Sequence, residues 1–227
     1  MPLFNTQNAK TTKGEPLGYK TYVLYLSSGD KSGREVCKNR SVGCFDTCLD
    51  NCGRGQMESV QNARMLKTRY FWNSPLLFRA NLDLEIKAAI RNAKPAAVPV
   101  FRLDGTSDLG LGISLARNNP TAQFYDYTKD YNRMKLYFSG KLPNNYHLTF
   151  SWSGNNATAC LDVLSLGGNV AAVFDGGMPD TFYGYPVIDG DTHDLRFLDP
   201  SPCVVGLKAK GKAKHDTSGF VVRVPSC

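Results

Sequence analysis

Short apolar runs of strand type, recurring along the chain with helix-like stretches between them, constrain the fold more than any other feature. The first is Tyr22-Val23-Leu24-Tyr25-Leu26, rich in the aromatic and β-branched residues that strands favour. Five more follow Pro95: Val98 to Leu103, Ala122 to Tyr127, Tyr146 to Phe150, Val170 to Phe174, and Val204 to Leu207. Residues 110 to 117, 131 to 139 and 157 to 166 fit short helices between them. Strands alternating with helices build βαβ units and a parallel sheet. The unbroken apolarity of Val170-Ala171-Ala172-Val173-Phe174 fits a strand covered on both faces. About six such units are too few for a closed eight-stranded barrel. The expected fold class is α/β, a partial, open βα barrel of about six mostly parallel strands. No linker interrupts the pattern, so residues 21–227 read as one domain after a polar lead-in, residues 1–20.

Between the first strand and Pro95 the chain reads differently. A loop, SSGDKSGREVCKNRSVG, is followed by a helix expected from Cys44 to Cys52 and capped by Gly53. A second helix is expected over 56–70, with Met57, Val60, Ala63 or Arg64, and Leu66 or Lys67 at helical spacing. A third is expected over 80–93, with Leu82, Ile86, Ala89 and Ile90 on one stripe.

Four of the seven cysteines, Cys37, Cys44, Cys48 and Cys52, fall in this segment with the spacing C-x6-C-x3-C-x3-C. Their neighbours Lys38, Asn39, Arg40, Asp46 and Asp50 are polar, unlike those of core cysteines. Thiolates select zinc, Cu(I) or iron–sulfur clusters. On a helix Cys44 and Cys48 lie about 6 Å apart along the axis, whereas zinc thiolate sites favour tight C-x2-C knuckles, and none is present here. The spacing therefore favours a 4Fe-4S cluster over zinc. Cys52 would lie about 12 Å from Cys44 on a continuous helix, so it is the less certain ligand. Cys160, Cys203 and Cys227 remain open as a fourth. With three thiols, one iron keeps an open position for a small molecule.

The string SGREVCKNRSVGCFDTCLDNCGRG resembles the cysteine segment of a family of small bacteriophage gene-product proteins with a three-cysteine motif. The likeness continues in order through VQNAR-x-LKTR (Val60 to Arg69), LDGTSD (Leu103 to Asp108), QFYDYTK (Gln123 to Lys129), YHLTFS (Tyr146 to Ser151), GGNVAAVF (Gly167 to Phe174), VIDGDTHDLRFLDP (Val187 to Pro200) and VVGLKAKG (Val204 to Gly211). The resemblance implies that Cys37, Cys44 and Cys48 are the regular cysteines, and that the position of Cys52 usually holds another small residue. It also implies an iron–sulfur protein distantly similar to radical S-adenosylmethionine enzymes, whose three-cysteine cluster follows the first strand of a partial βα barrel. Two features depart from that superfamily: the C-x6-C-x3-C spacing, and the lack of a glycine-glycine-acid motif after the next strand. S-adenosylmethionine is therefore a weaker candidate ligand than the cluster.

In parallel sheets ligands sit beyond the carboxyl ends of the strands. Polar residues follow at once here: Asp104, Thr106, Ser107 and Asp108; Asp126, Tyr127, Thr128 and Lys129; Ser151, Trp152 and Ser153; Asp175; and Asp189 with Asp191. Asp104, Asp108, Asp126, Lys129 and Ser151 are the candidate cleft residues facing the cysteine loop. Caps and turns use the same residue types. His193 in DGDTHD reads as part of an acidic turn, and no G-x-S-x-G, P-loop or G-x-G-x-x-G motif marks a catalytic set.

The formal net charge of +7 permits a nucleic-acid partner without identifying one. Lys208, Lys210, Lys212 and Lys214 alternate as they would on one face of a protected edge strand. No apolar run approaches a membrane span, and the first twenty residues lack a signal-peptide core. The expected setting is the reducing host cytoplasm, without membrane or secretion. The expected function is redox chemistry at the cluster, by electron transfer or a radical-type reaction, with a redox protein or small molecule as partner. The alternatives are a phage regulatory protein with a structural metal, binding nucleic acid or a host protein, and a degenerate radical enzyme that no longer binds S-adenosylmethionine.

Overall fold

The computed structural model describes residues 2–224. The chain forms a mixed α/β fold around one mostly parallel, open sheet of ten strands. The strands are β1 (Phe4–Asn5), β2 (Tyr19–Leu24), β3 (Val98–Arg102), β4 (Gln123–Thr128), β5 (Tyr146–Ser151), β6 (Val170–Asp175), β7 (Thr181–Phe182), β8 (Tyr185–Asp189), β9 (Val204–Lys208) and β10 (Val221–Arg223). Their order is β1-β2-β3-β4-β5-β6-β9-β8-β7, with β10 against β6. Each of the six apolar runs forms one of the parallel strands β2 to β6 and β9.

Four short strands lie outside the apolar rhythm. β1 pairs antiparallel with β2, so the polar lead-in carries part of the sheet, and Leu3 beside it is 1% exposed. The β7–β8 hairpin is inserted between β6 and β9, and β8 then flanks β9. That placement makes β9 an interior strand. It ends at Lys208, and Gly211–His215 is a 3-10 turn, so the four alternating lysines do not line an edge strand.

The helices are α1 (Val42–Asp46), α2 (Glu58–Asn73), α3 (Pro75–Arg91), α4 (Gly112–Asn118), α5 (Tyr131–Phe138) and α6 (Ala157–Ser165). Pro75 stands at the first turn of α3, where its missing N–H costs nothing, and so separates α3 from α2. α3 buries Phe78, Leu82, Ile86 and Ala89 at helical spacing. α2 departs from expectation: Met57 and Leu66 are exposed, and its buried residues are Thr68 and Phe71. The reason is polar, because the Ser27 backbone N–H donates to Thr68 Oγ1 at 2.8 Å. α5 is started by Asp130, whose Oδ1 accepts from the backbone of Asn132 and Arg133.

Both faces of the central strands are covered, as continuous apolarity requires. Phe101 and Phe124 are neighbours in register and stack at 5.2 Å, and Tyr22 stacks on Phe101 at 5.3 Å. They belong to the same core as α3. On the alternate positions, Val100 and Tyr125 pack with Leu195. Phe124→Ala should cost about 3–5 kcal/mol by removing a fully buried ring; a urea titration should show a lower midpoint with an unchanged slope.

Candidate functional site

The chain leaves β2 at Leu24 and enters the cysteine loop, which folds back over the carboxyl ends of the strands. The Asp108 N–H donates to Val36 O at 2.8 Å, and Thr106 Oγ1 donates to Leu26 O, tying this loop to the one after β3. Ser41 caps α1 by accepting from the Cys44 N–H at 3.2 Å. Gly43 allows α1 to press against Ser218 and Phe220, and a Cβ there would collide with the Ser218 hydroxyl. Gly29, at φ +58°, leaves room for the Phe45 ring.

The helix expected from Cys44 to Cys52 stops at Asp46. Two 3-10 turns follow, Leu49–Asn51 and Gly53–Gln56. Asp50 is the cause. It is fully buried, and its carboxylate accepts from Ser28 N and Oγ, Lys31 Nζ (2.8 Å), Gln61 Nε2 and Arg64 Nη1. Reaching those partners on α2 and the β2 loop is incompatible with a continuous helix. Burial alone would raise the Asp50 carboxyl; the hydrogen bonds from Lys31, Arg64 and Ser28 outweigh it and hold it below its ordinary value.

The result is a cavity of about 290 Å³ lined by all four loop cysteines and by the strand ends. Cys37, Cys44 and Cys48 form an electrostatic group with Lys129. Burial pushes the Cys37 thiol up to about 12, with Lys129 opposing it and Cys48 adding to it. Burial also raises Cys48, with Cys44 adding to the effect. Burial would lower the Lys129 ammonium, but Cys44, Asp108 and Cys37 raise it on balance. Cys52 also lines the cavity, its Sγ 3.8 Å from Thr47 O. Cys160 and Cys203 are fully buried in the core, each pushed up to about 12 by burial, and neither lines the cavity. Cys227 lies outside the described residues. Among the described residues no three His, Cys, Asp or Glu side chains are placed to hold a single metal ion.

Of the strand-end residues, Asp104, Asp108, Lys129 and Ser151 line the cavity. The two acids are largely occupied with structure. Asp104 accepts from Ser107 Oγ and the backbone of Leu109 and Gly110. Asp108 accepts from Thr128 Oγ1, the Lys129 N–H and Arg133. Asp126 lies beneath the floor, fully buried, accepting from the Asp104 N–H at 2.7 Å and Tyr146 Oη at 3.0 Å. His193 and the acids around it do not converge: Asp191 pairs with Lys210 and Asp194 with Arg102. The cavity also takes Lys10, Arg40 and Arg102, which sequence reasoning passed over. Arg102, a charge ending an apolar strand, was a visible signal; Lys10 carried none.

Asp50→Ala should destabilise the fold by about 3 kcal/mol, because Arg64 and Lys31 lose their buried partner. Hydrogen exchange should accelerate first in residues 44 to 56. Asp126 supplies a pH test. Burial, then Asp104, raises its carboxyl well above the ordinary value. The native state therefore keeps a proton that the unfolded chain releases above about pH 3.9, and stability falls as pH rises beyond that point. Asp126→Asn should flatten this decline, read as urea midpoints between about pH 4 and pH 8.

Among the described residues no helix is long and apolar enough to cross a membrane. Comparison with curated proteins and with solved structures returns no match. A family model does match, over residues 2–224 and thus the whole described sheet and cavity: the chain belongs to the phage gene-product family Gene product 88.

Proposed function

We propose that this protein is a phage iron–sulfur protein with a redox role, its 4Fe-4S cluster held by Cys37, Cys44 and Cys48. The observation that carries this reading is that these thiols line one cavity at the carboxyl ends of parallel strands, beside Lys129. The donor set fits the group in kind, since soft thiolates are the usual ligands of such clusters.

A bound cluster would supply one-electron redox capacity at the cavity. The chain's own residues do the rest. Lys129 offsets the negative charge of deprotonated thiols. Trp152, Ala171, Val173 and Leu207 give the opposite wall an apolar surface that limits water. Arg40 stacks its guanidinium over Phe45 at 3.9 Å, donates to Glu35 and pairs with Asp30, bracing the loop between Cys37 and Cys44. An open, partial βα barrel like that of radical enzymes is consistent with a cavity against the sheet face opposite α3. Electron transfer and radical-type chemistry both remain within this reading, and S-adenosylmethionine is the weaker extension.

A regulatory protein with a structural metal is the second reading. It draws on Lys212 and Lys214, which are exposed on the 3-10 turn beside the cavity.

Purified without oxygen, the protein should contain iron and sulfide and show broad visible charge-transfer absorption. Cys44→Ser should lose the iron, and Cys160→Ala should retain it. Protein that contains zinc and no iron, with DNA binding that weakens steeply as salt rises, would establish the second reading instead.

A further inference from the structure

The cavity's charges do not balance, and the excess is concentrated at one buried residue. Arg102 ends β3, lines the cavity and is 9% exposed. A guanidinium has five N–H donors. Among the described residues this one makes a single hydrogen bond, Nη1 to Asp194 Oδ2 at 2.9 Å. Its Nε is buried with no partner. Its flat face rests on the Tyr127 ring at 4.6 Å.

Asp194 cannot satisfy more of it. The same carboxylate faces Lys10 Nζ at 3.5 Å and accepts from Tyr125 Oη at 3.2 Å and Tyr127 Oη at 3.4 Å. Two cations therefore share one acid. The acids of the cavity wall are engaged elsewhere: Asp108 with Arg133, and Asp191 with Lys210. A buried polar donor without a partner is costly, and a planar guanidinium matches the paired oxygens of a carboxylate or phosphate.

We propose that Arg102 and Lys10 form an oxyanion-binding subsite, which takes the carboxylate or phosphate of a small organic molecule occupying this cavity. The volume of about 290 Å³ suits a small metabolite. Trp152, Val173 and Leu207 meet its apolar part. The subsite stands on the cations and the cavity, so it holds whether or not the thiols carry a cluster.

Isothermal titration calorimetry of anaerobically purified protein, with inorganic phosphate and separately with succinate, tests this. Saturable one-site binding is expected for at least one probe, and the one that binds identifies the oxyanion as phosphate or carboxylate. Lys10→Gln, at a partly exposed position, should weaken binding about tenfold. The paired variant Arg102→Gln/Asp194→Asn removes cation and acid together, leaves the net charge of the cluster unchanged, and should abolish binding. Lys212→Gln, outside the cavity, should leave it unchanged. Lack of saturable binding for both anions up to about 10 mM, or binding that both cavity variants leave intact, overturns the proposal. Iron analysis on the same samples separates this result from the cluster reading. Iron-free protein that still binds the anion supports the subsite and counts against the cluster.

Discussion

The cavity depends on one buried carboxylate. Asp50 sits between Cys48 and Cys52 and draws donors from the β2 loop, Lys31 and two residues of α2. A charge removed from water is tolerable only when it is paired and hydrogen-bonded. The chain must therefore bring Asp50 to those partners, and it does so by giving up helix after Asp46. The thiols are presented over the strand ends by that anchor rather than by a helical face. The same contacts turn the buried face of α2 toward polar residues, which leaves Met57 and Leu66 in solvent.

The other charges follow a common rule. Carboxylates near the cavity mostly serve to hold loops. Asp104 closes the turn after β3, and Asp108 joins that turn to β4 and α5. The cations are left with donor capacity to spare, with Lys129 beside the thiols and Arg102 with Lys10 in the same cavity. A site with surplus buried donors and an apolar wall is suited to a small anionic molecule.

Much of the architecture was legible in the chain. Runs such as Val170 to Phe174 are apolar at every position because both faces of a central parallel strand are covered, so the six main strands could be read directly. The stripe of Leu82, Ile86 and Ala89 was legible for a similar reason, as one face of α3 meets the sheet core. β1, β7 and β10 were not legible, and of β8 only its end before Asp189 was. They are two to five residues long, and their pairing is decided by where neighbouring strands already lie. The lysines from 208 to 214 misled in the same way, because alternation in sequence implies a strand only while the backbone remains extended.

Sequence alone determined the strand rhythm, the α/β class and the clustering of four thiols after the first strand, because periodicity and residue chemistry are local properties. Tertiary structure decided which of those residues share a space. Asp104, Asp108, Lys129 and Ser151 meet the cysteines because parallel strands end on one side, whereas Asp126 lies beneath them because its side chain points to the opposite face of β4 from Tyr127. Arg102 and Lys10, distant in the chain, meet across Asp194. Such meetings between residues far apart in sequence are set by packing, and no local pattern encodes them.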